Sequence, residues 1–350
     1  MLIHIRYLRA KHSSAAYTHE IEVIMAKRGL LLLAASFVFF TACGGVSEGL
    51  VSVPSSKETS TTTIEAESTA LSATDGMEKR DNTPLCLEPT APGTLTTGNE
   101  YATVDYSNAS EGYIMVNYLG SVSKVKLQLT GPNSVTYTYD LTNGYAAFPL
   151  TSGDGDYTIS VCENIEGTKY SLSFTTTLSF SGISEFGPYL YPNQYVNFDS
   201  SLKTVAKAKE LADNCYSDLD VVSNVYNYVI DNITYDYDKA NSVKSGYISS
   251  VDEILDSGTG ICLDYSCVMT SMLRCERIPT RLEVGYVGEE MLYHAWISVY
   301  IEDTGWVNGI IQFDGHDWSL MDPTFGASTS DKDLKEYIGT GDNYSVKYVY

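Results

Sequence analysis

Two glycines stand just before a cysteine at residues 258–265, where the chain reads Gly258-Thr259-Gly260-Ile261-Cys262-Leu263-Asp264-Tyr265. After this point Cys267, Val268, Met272 and Leu273 recur at helical spacing. The glycines break the backbone, so we expect a helix whose first turn carries Cys262. Unpaired N–H groups and the helix dipole at such a position stabilise a thiolate and can bind an oxyanion.

Two further segments carry side chains that could take part in catalysis. His294 and Trp296 alternate along a strand-like run at residues 293–300, so both side chains face the same side of the strand. Asp322 follows a strand-like run at residues 318–321 and precedes a proline, which favours an extended backbone. A thiol, an imidazole and a carboxylate in this order are the parts of a Cys-His-Asp nucleophilic centre. Each residue alone is more often structural, but the three together indicate an enzyme.

Four other residues are candidates for supporting this centre. Asp264 and Tyr265 could orient it, although helix capping and core packing explain them equally well. Tyr235 could line the cleft, and Trp296 could shield the Cys-His pair; core packing is the alternative for both. The sequence has no Cys-x-x-Cys pair and no Cys/His cluster, so we expect neither a metal nor a cofactor.

These segments resemble the transglutaminase-like superfamily. The resemblance rests on residues 260–265, 272–274, 278–281 and 285–287 for the cysteine motif, and on 294–296, 305–306 and 322–324 for the histidine and aspartate motifs. It covers the chain from about Asp199 onward. It implies a papain-like α+β core in which the cysteine helix packs on an antiparallel sheet. It also implies that Cys262 is the nucleophile, His294 the general base and acid, and Asp322 the group that orients the imidazole.

The resemblance leaves the reaction open, because bacterial members include peptidases, amidases and crosslinking enzymes. We expect hydrolysis of an amide in a protein, peptide or cell-wall substrate through a thioester acyl-enzyme. Water needs no dedicated site, whereas an amine acceptor does, and no lysine-binding pocket is evident. The alternatives are a protein-crosslinking transglutaminase and a non-catalytic surface-binding scaffold.

A different pattern precedes the catalytic region. Residues 96–182 alternate with a period of two between turn signals at 131–133, 142–144 and 152–155, which predicts a small all-β sandwich. Residues 183–350 form the predicted catalytic domain. Its helical stripes lie at 202–211 and 221–230, with Asp218 or Asp220 as the expected cap of the second helix, and a short helix is expected at 251–255. The predicted fold class is therefore α+β with a β-sandwich in front.

The first 42 residues are typical of an export signal preceded by an upstream stretch, with Met25 as the expected initiator. Lys27 and Arg28 precede an apolar stretch at 29–40, which is too short to span a bilayer. Phe40-Thr41-Ala42-Cys43 resembles a bacterial lipoprotein box, so we expect a lipid anchor on Cys43 at the extracellular face of the cell membrane. An ordinary secretory signal is the alternative. Residues 43–95, rich in Ser and Thr, predict a disordered tether.

Composition excludes one class of partner. The formal net charge is −22, and such a surface repels nucleic acid, whose binding depends on Lys and Arg contacts to phosphate. An exported chain permits disulfides. Cys86 with Cys162 is a conceivable pair, but neither this pairing nor that of Cys215 can be read from the sequence.

Overall fold

The computed structural model describes residues 79–308, 310–329 and 341–350. The predicted signal peptide, Cys43 and most of the predicted tether lie outside these residues. None of the helices in the described ranges is long and apolar enough to span a membrane.

Two four-stranded antiparallel sheets make up the first part of the described chain. The strand order of one sheet is β1 (Thr96–Gly98), β2 (Ala102–Asp105), β3 (Tyr113–Tyr118) and β6 (Gly144–Pro149), and that of the other is β5 (Thr136–Leu141), β4 (Val125–Thr130), β7 (Gly155–Glu166) and β8 (Lys169–Phe180). The turns fall where the glycine-rich signals predicted them, and apolar residues on alternate positions fill the space between the sheets, as in the buried Leu127 and Leu129 of β4.

Helices dominate the next part of the chain, and the predicted apolar stripes lie on them. One expectation was wrong: Ser217, rather than Asp218 or Asp220, is the N-cap of the second helix, because its hydroxyl accepts the backbone N–H of Asp220. The Asp220 carboxylate accepts the N–H of Ser217 in return and completes the capping box. The elements are α1 (Lys203–Ala212), α2 (Asp218–Asn232), β9 (Thr234–Tyr235), α3 (Tyr237–Ser242), α4 (Val251–Ser257), β10 (Thr259–Gly260) and α5 (Cys262–Cys275).

In a third antiparallel sheet the strand order is β15 (Ser319–Met321), β12 (Leu292–Val299), β11 (Thr280–Val287) and β16 (Tyr344–Val349). Helix α5 packs against β11 and β12. Val268, Met272 and Leu273 of α5 are fully buried, and each contributes about 1.5–3 kcal/mol by removal of apolar surface from water. The α+β class predicted from the sequence is confirmed. The remaining elements are the hairpin of β13 (Thr304–Val307) and β14 (Ile311–Asp314), and α6 (Pro323–Ser328).

The segment before β1 does not behave as a tether up to residue 95. The Arg80 guanidinium pairs with Asp218 and, at 3.3 Å, with Glu276, which is fully buried. Asn82 donates to the carbonyl of Cys215, and the Leu85 N–H donates to the carbonyl of Cys275 at 2.7 Å. Burial raises the pKa of the Glu276 carboxyl, and the Arg80 charge opposes that rise. The chain from Arg80 to Leu85 is therefore held by contacts to the helical region, which the tether prediction did not expect.

Cysteine pairing also differs from the conceivable one. Cys86 and Cys162 are both free thiols, as is Cys215. Cys162 lies on β7 opposite Lys126 and Leu172, whereas Cys86 follows the residue that bonds to the end of α5.

Candidate active site

Cys262 is the first residue of α5, as the sequence predicted. Gly258 ends α4 in the left-handed conformation at φ 63°, where a residue without Cβ is favoured. The chain then forms β10, which pairs in parallel with β9 so that Gly260 lies opposite Tyr235. Ile261, in an extended conformation, is the N-cap of the helix. Because the first N–H groups of a helix have no intrahelical acceptor, the N–H of Cys262 itself is the candidate donor to a substrate oxygen.

Asp264 holds this helix start in place. Its Oδ2 accepts the backbone N–H of Ile261 at 2.9 Å, and its side chain is fully buried. The side chains of Lys239, Tyr247 and Ser249 donate to the same carboxylate. Asp264 therefore acts on the site through the backbone that carries Cys262.

Tyr265 has a structural place. Its ring is fully buried, and its hydroxyl donates to the carbonyl of Ile233 at 2.5 Å. This bond ties α5 to the end of α2. Of the two supporting candidates next to Cys262 in sequence, Tyr265 is thus accounted for by packing and one backbone contact.

His294 lies on β12 and is 5% exposed. Its Nε2 is 2.8 Å from Oδ2 of Asp322, which leaves Nδ1 as the ring nitrogen for another partner. Burial alone lowers the pKa of this imidazole. The charge and hydrogen bond of Asp322, together with a hydrogen bond to the Cys262 side chain, outweigh burial and raise the pKa to about 10. The structure therefore places His294 against Asp322, 28 positions further along the chain, and the pKa of the ring lies well above its ordinary value.

Asp322 is the N-cap of α6 and is fully buried. Its Oδ1 accepts the backbone N–H groups of Thr324 and Phe325, each at 3.1 Å. Its Oδ2 accepts the hydroxyl of Tyr344 at 2.9 Å in addition to His294. Four donors fix the orientation of this carboxylate, and with it the orientation of the imidazole. The proline after Asp322 occupies the first helical position, where its missing N–H costs nothing.

Aromatic rings enclose the imidazole. Phe325 stacks on His294 with ring centroids 4.9 Å apart, and Trp296 lies on the same strand face with centroids 6.3 Å apart. Trp296 is fully buried, and its Nε1 donates to Oε2 of Glu283 at 2.7 Å. Tyr344 packs edge-on against Trp296 at 4.9 Å. Trp296 is thus a buried core residue beside the histidine, and its shielding of the Cys-His pair stays a prediction.

Tyr235 lies close enough to Cys262 for the two side chains to interact electrostatically. Burial, followed by the charge of Cys262, raises the pKa of the Tyr235 phenol. Its ring packs edge-on against Tyr237, with centroids 5.0 Å apart. Tyr293, which is 52% exposed, has a pKa raised to about 12, chiefly by burial and with a small contribution from Cys262. Both tyrosines therefore lie within electrostatic range of the cysteine.

The sequence did not indicate Phe325, Tyr344 or Glu283 as site residues. Phe325 had a local signal, since it follows Asp322 by one helical turn, but Tyr344 and Glu283 are placed only by strand pairing. Within residues 79–308, 310–329 and 341–350, no group of three or more His, Cys, Asp or Glu side chains is arranged to hold a metal ion.

Comparison with known proteins finds a family resemblance in this region of the chain. Residues 205–309 match the family model of the Transglutaminase-like superfamily, a range that contains Cys262 and His294 and ends before Asp322. A UPF0252 protein of Methanocaldococcus jannaschii is 32% identical over 96 residues, which are 25% of this chain and 27% of that protein. The chain thus matches about a quarter of the length of this curated relative. Residues 205–309 are thus similar to transglutaminase-like domains.

Three solved structures share low similarity with the chain. A candidate protease from Parabacteroides distasonis is 15% identical, with 33% of this chain and 23% of that chain covered and a TM-score of 0.25. A candidate cysteine protease from Cytophaga hutchinsonii is 15% identical, with coverages of 66% and 69% and a TM-score of 0.29. Red sea bream transglutaminase is 13% identical, with coverages of 61% and 48% and a TM-score of 0.28. Scores this low carry no argument about activity.

Proposed function

We propose that this protein is a cysteine-dependent amide hydrolase that works through a thioester acyl-enzyme. Cys262 is the nucleophile, His294 the acid and base, and Asp322 the group that orients the imidazole. The observation that carries the proposal is the bond from Nε2 of His294 to Asp322, because it leaves Nδ1 for the thiol. The raised pKa of His294, to about 10, favours the imidazolium, and a positive charge beside a thiol stabilises the thiolate that attacks.

The reaction follows from these roles. The Cys262 thiolate attacks the amide carbonyl, and the oxyanion that forms is bound by the backbone N–H of Cys262 at the start of α5. The imidazolium of His294 gives its proton to the leaving amine, which departs and leaves a thioester. The neutral imidazole then takes a proton from water as the water attacks the thioester. The acid is released, and the thiolate and imidazolium are restored.

Crosslinking is the second candidate. An amine in place of water would give transamidation from the same thioester. Incorporation of a labelled primary amine into a glutamine-bearing protein separates the two reactions. Hydrolysis without amine incorporation, at saturating amine, supports the hydrolase. A non-catalytic surface scaffold is the third candidate, and it predicts that Cys262→Ala leaves every cellular phenotype unchanged.

We also propose that the protein is exported and anchored by a lipid on Cys43, which places the site among protein, peptide or cell-wall amides outside the cell. The lipoprotein-like residues before Cys43 support this placement. Mass spectrometry of the membrane fraction should find a lipid-modified Cys43 at the mature N-terminus. Recovery of Cys43→Ser in the same membrane form as the wild type would contradict the anchor.

Alkylation kinetics test the hydrolase proposal without a known substrate. Iodoacetamide at pH 6 should label Cys262 far faster than Cys86 or Cys162. These two thiols are also only partly buried, and burial raises the pKa of each, so they are internal controls. His294→Ala should reduce the labelling of Cys262 to the rate of the controls. Equal labelling of Cys262 in wild type and His294→Ala would reject the ion pair and the hydrolase with it.

A further inference from the structure

The carboxylate of Asp264 receives four donors from two parts of the chain. One is the backbone N–H of Ile261, immediately before the nucleophile. The other three are side chains that precede α4: Lys239 at 2.7 Å, Tyr247 at 2.8 Å and Ser249 at 2.7 Å. A fully buried carboxylate requires partners of this kind, because an unpaired charge away from water is strongly disfavoured.

Lys239 is the single full charge among these donors. It is 25% exposed at its side chain, and its ammonium also lies 4.6 Å from the centre of the Tyr247 ring. Burial lowers the pKa of Lys239, but hydrogen bonds to Asp264 and Tyr247 outweigh burial and raise it. The ammonium therefore neutralises the carboxylate and at the same time holds Tyr247 against it.

Further contacts connect the segment that carries Lys239 to the backbone just before Cys262. The side chain of Asp236 caps α3 by accepting the N–H of Lys239, and the Asp236 N–H donates to the carbonyl of Gly260. A Cβ on Gly260 would lie 2.7 Å from Cβ of Asp264, so the carboxylate fits only because this residue is glycine. Tyr235, beside Cys262, immediately precedes Asp236. Tyr235 and Cys262 are thus both connected to the carboxylate of Asp264, Tyr235 through Asp236 and Lys239, and Cys262 through Ile261.

We propose that Lys239 and Asp264 form a positioning pair that holds Tyr235 and the stretch 243–249 at fixed positions relative to Cys262. The ion pair does not touch the reacting atoms. It fixes the position of the Cys262 sulfur through Ile261 and the position of Tyr235 through Lys239. This inference rests on the proposed function for its role in catalysis, but the positioning itself is independent of any substrate.

Substitution of Lys239 tests the pair. Lys239→Met keeps the length of the side chain and removes the charge. The alkylation rate of Cys262 at pH 6 should fall at least about tenfold, because small displacements of a reacting group have large effects on rate. Limited digestion by chymotrypsin at Tyr247 should become faster in parallel. Lys239→Arg should restore both properties, which a loss of packing alone would not predict.

Two variants complete the experiment. Lys244→Met removes a charge from the same stretch at an exposed position and should leave both readouts unchanged. Tyr247→Phe removes one neutral donor and should move both readouts in the same direction as Lys239→Met, by less, so it serves if Lys239→Met does not fold. Wild-type rates in Lys239→Met and Tyr247→Phe would overturn the positioning pair. If alkylation of Cys262 does not depend on His294, the proposed function fails, and the digestion at Tyr247 still decides the positioning.

Discussion

Tyr344 donates its hydroxyl to the same oxygen of Asp322 that binds Nε2 of His294. The last strand of the sheet therefore contributes directly to the orientation of the histidine. The same tyrosine packs edge-on against Trp296, so its ring stays in place without the hydroxyl.

Removal of that hydroxyl should have a moderate effect. In Tyr344→Phe, Asp322 keeps three of its four donors, and we expect the free energy of unfolding to fall by about 1 kcal/mol. The alkylation rate of Cys262 should fall by less than in variants of Asp322 itself. Urea denaturation and iodoacetamide kinetics measure the two effects. A rate as low as that of Asp322→Asn would mean that Tyr344 has a larger role than its single bond indicates.

Asp322→Asn should uncouple the imidazole from the thiol. The charge of Asp322 is the largest of the effects that raise the pKa of His294 to about 10, so its loss should return that pKa toward the ordinary value of 6.5. Turnover should fall by about 10⁴-fold, the size of the effect when a triad aspartate is replaced by asparagine. The pH dependence of alkylation measures the shift.

Asp314→Asn is the matched control for this variant. Asp314 also accepts two backbone N–H groups, from His316 and Asp317, but it is exposed at the end of β14, outside the site. The control should leave the pH profile of Cys262 unchanged. A profile that moves equally in both variants would assign the effect to general charge rather than to the contact with His294.

His294 should make the stability of the protein depend on pH in a defined direction. Its folded pKa of about 10 lies above the ordinary value of 6.5, so the folded state binds the proton more tightly than the unfolded state. The resulting stabilisation is fully present below pH 6.5 and is lost as the pH rises through 10. Urea denaturation across this range should show the loss in wild type, and the difference between wild type and His294→Gln should narrow as the pH rises. A constant difference would contradict the raised pKa.

Gly285→Ala should disturb the site from a distance. A Cβ at Gly285 would lie 2.0 Å from the carbonyl oxygen of Ser345, at an irregularity in the pairing of β11 with β16. The strand would have to move, and Tyr344 is the neighbour of Ser345. We expect a loss of roughly 1–3 kcal/mol of stability and a slower alkylation of Cys262. Gly144→Ala, where a Cβ meets open space although φ is positive, is a control for backbone strain alone.

Local patterns explain why the central residues could be predicted. Cys262 follows two glycines, one that caps the end of α4 and one that ends β10, His294 alternates with Trp296 on a strand, and Asp322 stands before a proline. Each signal spans a few residues. Lys239, Glu283 and Tyr344 gave no such signal, because their roles depend on pairings between segments that are far apart along the chain. The cap at Ser217 was missed for a different reason: neighbouring aspartates offered equally good local candidates.

The contact between Arg80 and Glu276 sets a lower limit on any shortened version of the protein. Glu276 follows the last residue of the helix that begins with Cys262, and its buried charge has its cation on a segment far upstream. A recombinant fragment restricted to residues 205–309, or one that starts at β1, would lack Arg80 and would leave the buried carboxylate of Glu276 without this ion-pair partner. Preparations for enzymology should therefore start no later than Lys79, even though the chemistry is carried by residues more than 180 positions downstream.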